Sequence, residues 1–368
     1  METLKVGIVG AGGIARQHGI AWQRNAPRGE IVAVADVEPS RAQYLVDNYA
    51  APSAKIYDGL AALLADPNVD AVDICLPHDL HTSAIIASAR AGKAIFCEKP
   101  LCTSLDDAAA IDAALRETGV TFVMAHNQLF QPSLIEARQM LAAGTLGRPF
   151  VIRSIEAFQH RGALLGQTGH QLGPGESPWA WRSDLTRMGG GEVLDTGWHS
   201  SYRLLALANN DRPVEVTAMT DRFLIPGLPA EDTGLLTIRF ASGAIGQIIT
   251  SWAFAPVGNW HFEVMAEYGS LAGGPTQLLH QLHGWPEPAE RSNESVHTFT
   301  AEVTHFLDVI QQGADTPATF AQGARVLQLT KAAYLSAAEH CSVALPENPL
   351  EPGVLIGTES AREVSAIA

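Results

Sequence analysis

The sequence predicts an α/β protein: a doubly wound parallel sheet at the N-terminal end, then an α+β domain built on a mainly antiparallel sheet. Three observations lead there. Apolar strand-like runs alternate with helical patterns through the first third of the chain. Near residue 126 this gives way to a helix, a set of alternating strands and a long irregular stretch. The length of 368 residues suggests about two domains, each able to bury a core. The boundaries read as 1–125 and 126–368.

The first run, Val6 to Val9, enters a glycine turn, Gly10-Ala-Gly12-Gly13, that leads into a helix through Ile14 and Ala15. Gly10 suits a tight turn, Gly12 lets the backbone approach a pyrophosphate, and Ala15 keeps the helix close to its strand. The helix N-terminus adds N–H groups and a positive dipole end. One helix length later the run Ile31 to Ala35 ends in Asp36, placed to hydrogen-bond a ribose 2′-hydroxyl. The alternation continues with helices over Ser40–Asn48 and Gly59–Ala65 and a strand over Ala71–Leu76, stopped by Pro77. A helix His81–Ala91, a strand Ala94–Cys97, a helix Leu105–Thr118 and a strand Val120–Met124 complete it.

Beyond residue 126 a helix spans Pro132–Ala143 and a strand Phe150–Phe158, while residues 160–191 show no sustained period. Such a stretch is usually functional or disordered, and Trp179 and Trp181 favour an ordered loop. Strands follow at Val214–Phe223, Thr233–Phe240, Ala244–Trp252 and His261–Ala266, with Ala241-Ser-Gly243 as a hairpin turn. Helices over Ala301–Gln312 and Gly323–His340 close the chain.

The net charge of −15 disfavours nucleic acid and anionic membrane surfaces as partners. Cys75, Cys97, Cys102 and Cys341 show no CxxC spacing and read as reduced thiols, which fits a cytoplasmic location. The first strand begins by Leu4, leaving no room in front of it for a charged-then-apolar leader. No apolar stretch is long enough to span a bilayer. The thirteen histidines include no HExxH or cysteine–histidine set, so no metal site is expected.

Three segments carry polar residues that the bare fold does not require. Glu98-Lys99-Pro100 follows a strand, where ends face the cofactor crevice, and a lysine there can hold or polarise a substrate hydroxyl; a solvated lysine is the alternative. Gly189-Gly-Gly-Glu-Val-Leu-Asp195-Thr-Gly-Trp-His199 places a carboxylate and an imidazole four apart, on one face if a helix begins after the glycines. The glycine triplet costs stability unless the backbone must come close to something. Pro77-His-Asp-Leu-His81 sits at a strand end, with Asp79 read as a helix cap and His81 left open. His126 and Asn127 follow a strand and point to the substrate crevice. Trp181 can stack on a sugar face or pin its loop, and Arg182 can anchor a substrate or pair with Asp184.

Together these residues make the chain similar to the glucose–fructose oxidoreductase / inositol dehydrogenase / rhizopine-catabolism (Gfo/Idh/MocA) family over nearly its whole length. The carriers are Gly10-x-Gly12, Glu98-Lys99-Pro100, Trp181-Arg182, Gly189-Gly-Gly-x-x-x-Asp195-x-x-x-His199 and Ala333-Tyr-Leu-Ser336. The resemblance implies a Rossmann domain, a nicotinamide cofactor, and a large open sheet used for substrate binding and oligomer contacts. It implies Lys99, Asp195 and His199 as the catalytic set. Two departures stand out: Leu76-Pro77-His78 replaces the family's usual Thr-Pro-Asn, and Asn127-Gln-Leu-Phe130 lacks the usual arginine, which argues against an anionic substrate.

The expectation is therefore an NAD-dependent oxidoreductase acting on a secondary hydroxyl or ketone of a sugar, inositol or related polyol. NAD is favoured over NADP because no arginine adjoins Asp36. The cofactor residues are Gly10, Gly12, Gly13, Ile14, Asp36, Leu76, Pro77, His81, Glu98 and Lys99. The substrate residues are Lys99, His126, Asn127, Trp181, Arg182, Asp195 and His199. A homodimer or homotetramer is expected. The alternatives are a redox-neutral, NAD-dependent glycoside-cleaving enzyme and a cofactor-binding sensor on the same fold.

Overall fold

The computed structural model describes residues 2–159, 181–182, 184–225, 227–258 and 260–356. Their contacts separate into two compact units. The first draws on Met1–Phe130, Leu165–Gly189 and Val296–Gly323, and the second on Gln131–Leu164, Gly190–Ser295 and Ala324–Ala368.

In the first unit six strands pair in parallel: β1 (Leu4–Val9), β2 (Gly29–Ala35), β3 (Lys55–Tyr57), β4 (Ala71–Ile74), β5 (Ala94–Glu98) and β6 (Phe122–Ala125). Their order is β3-β2-β1-β4-β5-β6, the doubly wound arrangement, with its switch point between β1 and β4. Helices α1 (Gly13–Arg24), α2 (Pro39–Tyr49), α3 (Leu60–Leu64), α4 (His81–Arg90) and α5 (Leu105–Thr118) supply the crossovers. The bounds of α5 are those its sequence predicts. The Ser104 hydroxyl accepts the Asp107 N–H at 3.1 Å, two aspartates occupy the first turn, and Gly119 takes the left-handed conformation (φ 66°) after the last. Sequence patterning missed β3, whose three residues are too few to show a period.

A later helix belongs to this unit as well: α9 (Thr298–Gln312) buries Glu302, Val303, Phe306 and Leu307. Phe306 meets Trp22 of α1 edge-on at 6.2 Å and stacks on Phe96 of β5 at 5.0 Å. The short α7 (Leu185–Met188) also lies here.

The second unit contains α6 (Pro132–Ala142), α8 (Gly197–Leu207) and a ten-stranded sheet. Its strands are β7 (Pro149–Ala157), β8 (Pro213–Asp221), β9 (Thr233–Phe240), β10 (Ile245–Ser251), β11 (Phe262–Ala266), β12 (Gly269–Gly273), β13 (Gln277–Leu282), β14 (Ala289–Ser292), β15 (Val343–Ala344) and β16 (Val354–Leu355). All neighbours pair antiparallel except β7 and β10. The expected hairpin joins β9 to β10, with Gly243 at φ 89°. Strands β12 to β16 had no counterpart in the sequence reading, because they are short, glycine-bearing or polar at the sheet edges. Most of the last helix, α10 (Phe320–Glu339), also belongs to this unit.

Helix α8 covers one face of β7 and β10, and its Arg203 is fully buried. That guanidinium donates to the Ile155 and His261 carbonyls, each at 2.9 Å, and to the Glu156 carboxylate. Burial alone would raise the Glu156 pKa, but Arg203, joined by His199 and His261, outweighs it and the carboxyl lies below its ordinary value. A charge pair of this kind is costly to break from one side. Arg203→Ala should therefore destabilise the protein by about 3–5 kcal/mol, read by calorimetry, with part of the loss recovered in Arg203→Met/Glu156→Leu.

Candidate active site

The turn after β1 is shaped by sterics. Gly10 sits at φ 89°, and a Cβ there would lie 2.4 Å from the Cys75 carbonyl oxygen at the end of β4. Only glycine fits. At Gly12, by contrast, a Cβ would meet nothing within 4 Å, so the missing side chain leaves open space at the start of α1. A pyrophosphate needs that space, together with the first N–H groups of the helix, which have no intrahelical acceptor. Gly13 and Ile14 in the first turn are exposed, while Ala15 is buried against the sheet.

Asp36 stands immediately after β2. One carboxylate oxygen accepts the Ala11 N–H at 2.6 Å and the other accepts the Glu38 N–H at 2.7 Å. The carboxylate is thus pinned to the glycine turn, and each oxygen keeps a further lone pair for ribose hydroxyls. These residues fit a dinucleotide.

At the ends of β4 and β5 lie Leu76, Pro77, Glu98 and Lys99. His81 is fully buried, with Nδ1 2.7 Å from the Pro100 carbonyl and Nε2 2.9 Å from the Leu76 carbonyl. Burial lowers its pKa against the pull of those two carbonyls. Its imidazole is therefore lodged between two strand-end loops. Asp79 caps no helix, contrary to the sequence reading. It lies 3.5 Å from the Arg187 guanidinium, and α4 begins at His81 without a side-chain cap.

Glu98 is 6% exposed, and its Oε2 accepts the Lys99 N–H at 2.9 Å. Its Oε1 lies 3.1 Å from Nε2 of His18. The other ring nitrogen of His18 is 2.9 Å from Asp73 on β4, which also receives the Trp22 indole N–H at 2.7 Å. Burial alone would lower the His18 pKa, but the Asp73 carboxylate and Cys75 together more than offset it and the pKa stands well above its ordinary value. His18 was missed in the sequence reading. The available signal was its place on the buried stripe of α1, between Ala15 and Trp22.

His126, after β6, is buried, and the Asn127 amide donates to the Thr298 hydroxyl at 3.0 Å. Trp181 packs edge-on against His78 at 4.7 Å and carries the Arg182 guanidinium over its face at 4.3 Å. Asp184, the other partner considered for Arg182, caps α7 by accepting the Thr186 N–H at 3.0 Å. Trp179 lies outside the described residues.

In the second unit, Asp195 is fully buried in a turn whose N–H reaches the Gly191 carbonyl at 3.1 Å. The helix starts at Gly197, so His199 belongs to its first turn while Asp195 precedes it. The His199 Nδ1 lies 2.7 Å from the Tyr202 hydroxyl, a partner the sequence reading did not name. The close approach expected at the glycine triplet is real, and its agent is the protein itself. A Cβ on Gly190 would lie 2.5 Å from the Tyr334 hydroxyl, and one on Gly191 would lie 2.3 Å from the Glu231 carboxylate. The Tyr334 hydroxyl donates to Glu231 at 2.9 Å and accepts the N–H groups of Gly191 and Leu194 at 3.0 and 3.2 Å. Burial raises the Glu231 pKa, and that of the fully buried Glu192, whose carboxyl receives the Thr196 and Thr250 hydroxyls. Thus a clamp of Tyr334 and Glu231 sets the turn that presents Asp195. A cavity of about 270 Å³ opens at the end of β7, lined by Glu156, Phe158, Trp260 and His261 among others.

Known proteins share this architecture. An oxidoreductase family with an NAD-binding Rossmann fold matches residues 4–126, and the GFO/IDH/MocA C-terminal domain matches residues 134–272. The chain is 32% identical over 270 residues to the 1,5-anhydro-D-fructose reductase of Ensifer adhaerens, a match covering 73% of this chain and 74% of the relative. It is 26% identical to the inositol 2-dehydrogenase of Rhizobium meliloti (strain 1021), over 93% of this chain and 99% of that one. A solved structure of levoglucosan dehydrogenase, in complex with NADH and levoglucosan, has a TM-score of 0.83 over 94% of this chain and 100% of that chain, at 22% identity, a likeness of fold. The glycine turn, the pinned Asp36 and the matched domains lead to one conclusion: the chain belongs to the Gfo/Idh/MocA family of NAD-binding oxidoreductases.

Proposed function

We propose that this protein is an NAD-dependent dehydrogenase that oxidises a secondary hydroxyl of a sugar, inositol or related polyol, or reduces the matching ketone. The observation that carries the reading is a dinucleotide unit whose β5 runs into Lys99, in a chain whose second unit sets a buried carboxylate and an imidazole on successive turns. The relatives named above, a sugar reductase and an inositol dehydrogenase, support the substrate class.

Bound NAD supplies the hydride acceptor. The remaining work falls to side chains. With Nδ1–H donating to Tyr202, His199 Nε2 carries the lone pair that takes the hydroxyl proton. Asp195 holds the hydroxyl, Tyr202 orients the imidazole, and Lys99 polarises the oxygen. His126, Asn127, Trp181 and Arg182 are assigned to substrate contacts on the same reading.

The test follows NADH absorbance with a panel of inositols, pyranoses, sugar acids and glycosides. The reading expects turnover with a neutral polyol and a fall of roughly 10²–10⁴ in kcat for His199→Ala. A loss confined to KM would make His199 a binding residue, and silence across the panel with NAD bound would sink the dehydrogenase reading.

Cofactor choice follows from charge. Asp36 stands at the ribose position and is followed in sequence by Val37, Glu38 and Pro39, so a 2′-phosphate would meet a carboxylate with no arginine adjoining it. NAD is expected to bind at least about tenfold more tightly than NADP in fluorescence titration. Equal affinities would contradict this.

No described helix is long and apolar enough to cross a membrane. A cytoplasmic location is part of the proposal, supported by the four free cysteines. So is a homodimer or homotetramer, formed through the second unit's sheet. The face of that sheet away from α8 carries an apolar row, Met219, Leu235, Ile249 and Ile155, in register across β8, β9, β10 and β7. Met219 is 76% exposed and Leu235 45%, more apolar surface than a lone soluble chain gains from showing. Light scattering is expected to give a multiple of the 39.2 kDa chain, and Met219→Lys/Leu235→Lys to dissociate it. A monodisperse monomer would refute the assembly.

A further inference from the structure

The most unusual feature of the first unit is a charged cluster sealed inside it. His18 is 0% exposed, Asp73 0%, Glu302 1% and Glu98 6%, and they come from α1, β4, α9 and β5. The His18 Nε2 is 3.1 Å from Glu98 and 3.9 Å from Glu302. Among the described residues neither Glu302 oxygen has a hydrogen-bond partner. Around them are Trp22, Phe96 and Phe299, with His18 ring distances of 5.6 and 5.7 Å to the two phenylalanines. The sequence motifs account for Glu98 only.

Proton positions follow from the geometry. Each His18 ring nitrogen faces a carboxylate, and an imidazole donates from both nitrogens only as the imidazolium. Three ionised carboxylates around it would leave two uncompensated charges in the interior, which is prohibitive. Burial raises the Glu302 pKa well above its ordinary value, which makes it the member of the cluster that favours its proton, and with Glu302 neutral one net negative charge remains instead of two. Among the described residues, the other titratable groups facing the cluster include the Cys75 and Cys97 thiols and, beside Glu98, His81, whose pKa burial lowers. Burial pushes Cys75 up to about 12 and raises Cys97, so both thiols stay neutral.

Glu98 is then gripped at both ends: its Oε1 by His18 and its Oε2 by the Lys99 N–H. A carboxylate held at both oxygens cannot rotate, and the amide it grips belongs to the residue assigned to polarise the substrate. We propose that the His18–Glu98–Glu302 cluster is a positioning device for Lys99, in which His18, anchored by Asp73 and Trp22, fixes the Glu98 carboxylate that holds the Lys99 backbone, and Glu302 seals the cluster from α9. The inference rests on the catalytic role proposed for Lys99. None of the three cluster residues is required to touch the reacting atoms.

A double-mutant cycle on kcat tests it, with NAD affinity followed by fluorescence. His18→Leu is expected to lower kcat about 10- to 100-fold while polyol KM and NAD Kd change less than about threefold, because a misplaced reactive group costs rate before affinity. In a Lys99→Ala background the same substitution should change kcat by less than about threefold. Equal fold-losses in both backgrounds, or no loss in the wild-type background, would overturn the proposal while leaving Lys99 catalytic. Full activity in Lys99→Ala alone would remove the role on which it rests. Glu98→Gln, which keeps the residue's size, runs the same cycle if His18→Leu fails to accumulate.

The protonation pattern has its own readout. Both His18 and Glu302 have folded pKa values above their unfolded ones, so the folded state holds extra protons and loses stability as pH rises through those values. Glu302→Gln copies the neutral acid and cannot ionise. Its Tm should fall less than the wild type's as pH rises from 5, just above the ordinary glutamate value of 4.5, to 7, by about 2 °C. The ligand atoms of His18, Glu98 and Glu302 also lie within 4.8 Å of one another, a spacing that a divalent cation can bridge. A steeper fall in the variant, or a stoichiometric divalent metal in elemental analysis of the purified protein, would overturn the protonated cluster.

Discussion

Burying ionisable groups with as little uncompensated charge as possible is the constraint around which the first unit is arranged. His18 projects from α1 among Phe96, Phe299, the Cys75 thiol and acidic side chains, and it is tenable there because both ring nitrogens find carboxylates. Meeting that requirement takes groups from β4, β5 and α9 at once. The result links the helix that starts at the glycine turn, the strand that ends at Lys99 and a helix far along the chain. Packing reinforces the same junction through Trp22, Phe96 and Phe306. The glycine turn and the Glu98–Lys99 strand end are therefore set by one network.

The second unit meets the same constraint with other chemistry. Tyr334 and Glu231 hold the turn before α8 through its own N–H groups, and burial raises the pKa of Glu192 against the pull of two threonine hydroxyls. Arg203 then satisfies strand-end carbonyls and Glu156 beneath His199's helix. Asp195 and His199 are thus presented by a scaffold of buried polar groups that leaves little freedom to adjust. Such rigidity suits residues that must meet a substrate in one geometry.

Much of this was legible beforehand. The alternation of periods gave the parallel sheet, and α5 and β9 have the bounds their patterns predict. Gly10, Gly12 and Asp36 were readable because a strand–turn–helix unit leaves few residue types able to occupy those positions. Edge strands were not readable, since β3, β15 and β16 have two or three residues and no period to show. Asp79 was misread as a cap because capping and ion pairing draw on the same short acidic side chain, and Arg187, its partner, is 108 positions away.

What the sequence by itself determined, then, was whatever depends on local sterics and periodicity: the alternating elements, the left-handed turn at Gly10 and the acid after β2. Which buried polar groups meet was decided only by the tertiary structure. The glycine triplet announced a close approach, yet the approaching hydroxyl belongs to Tyr334, 143 positions from Gly191. His18 stood on a buried face, yet its compensating charges lie on β4, β5 and α9. A buried charge states its need for a partner locally, but the partner is supplied by whichever segment chain folding brings within about 3 Å, and that choice carries no local signature.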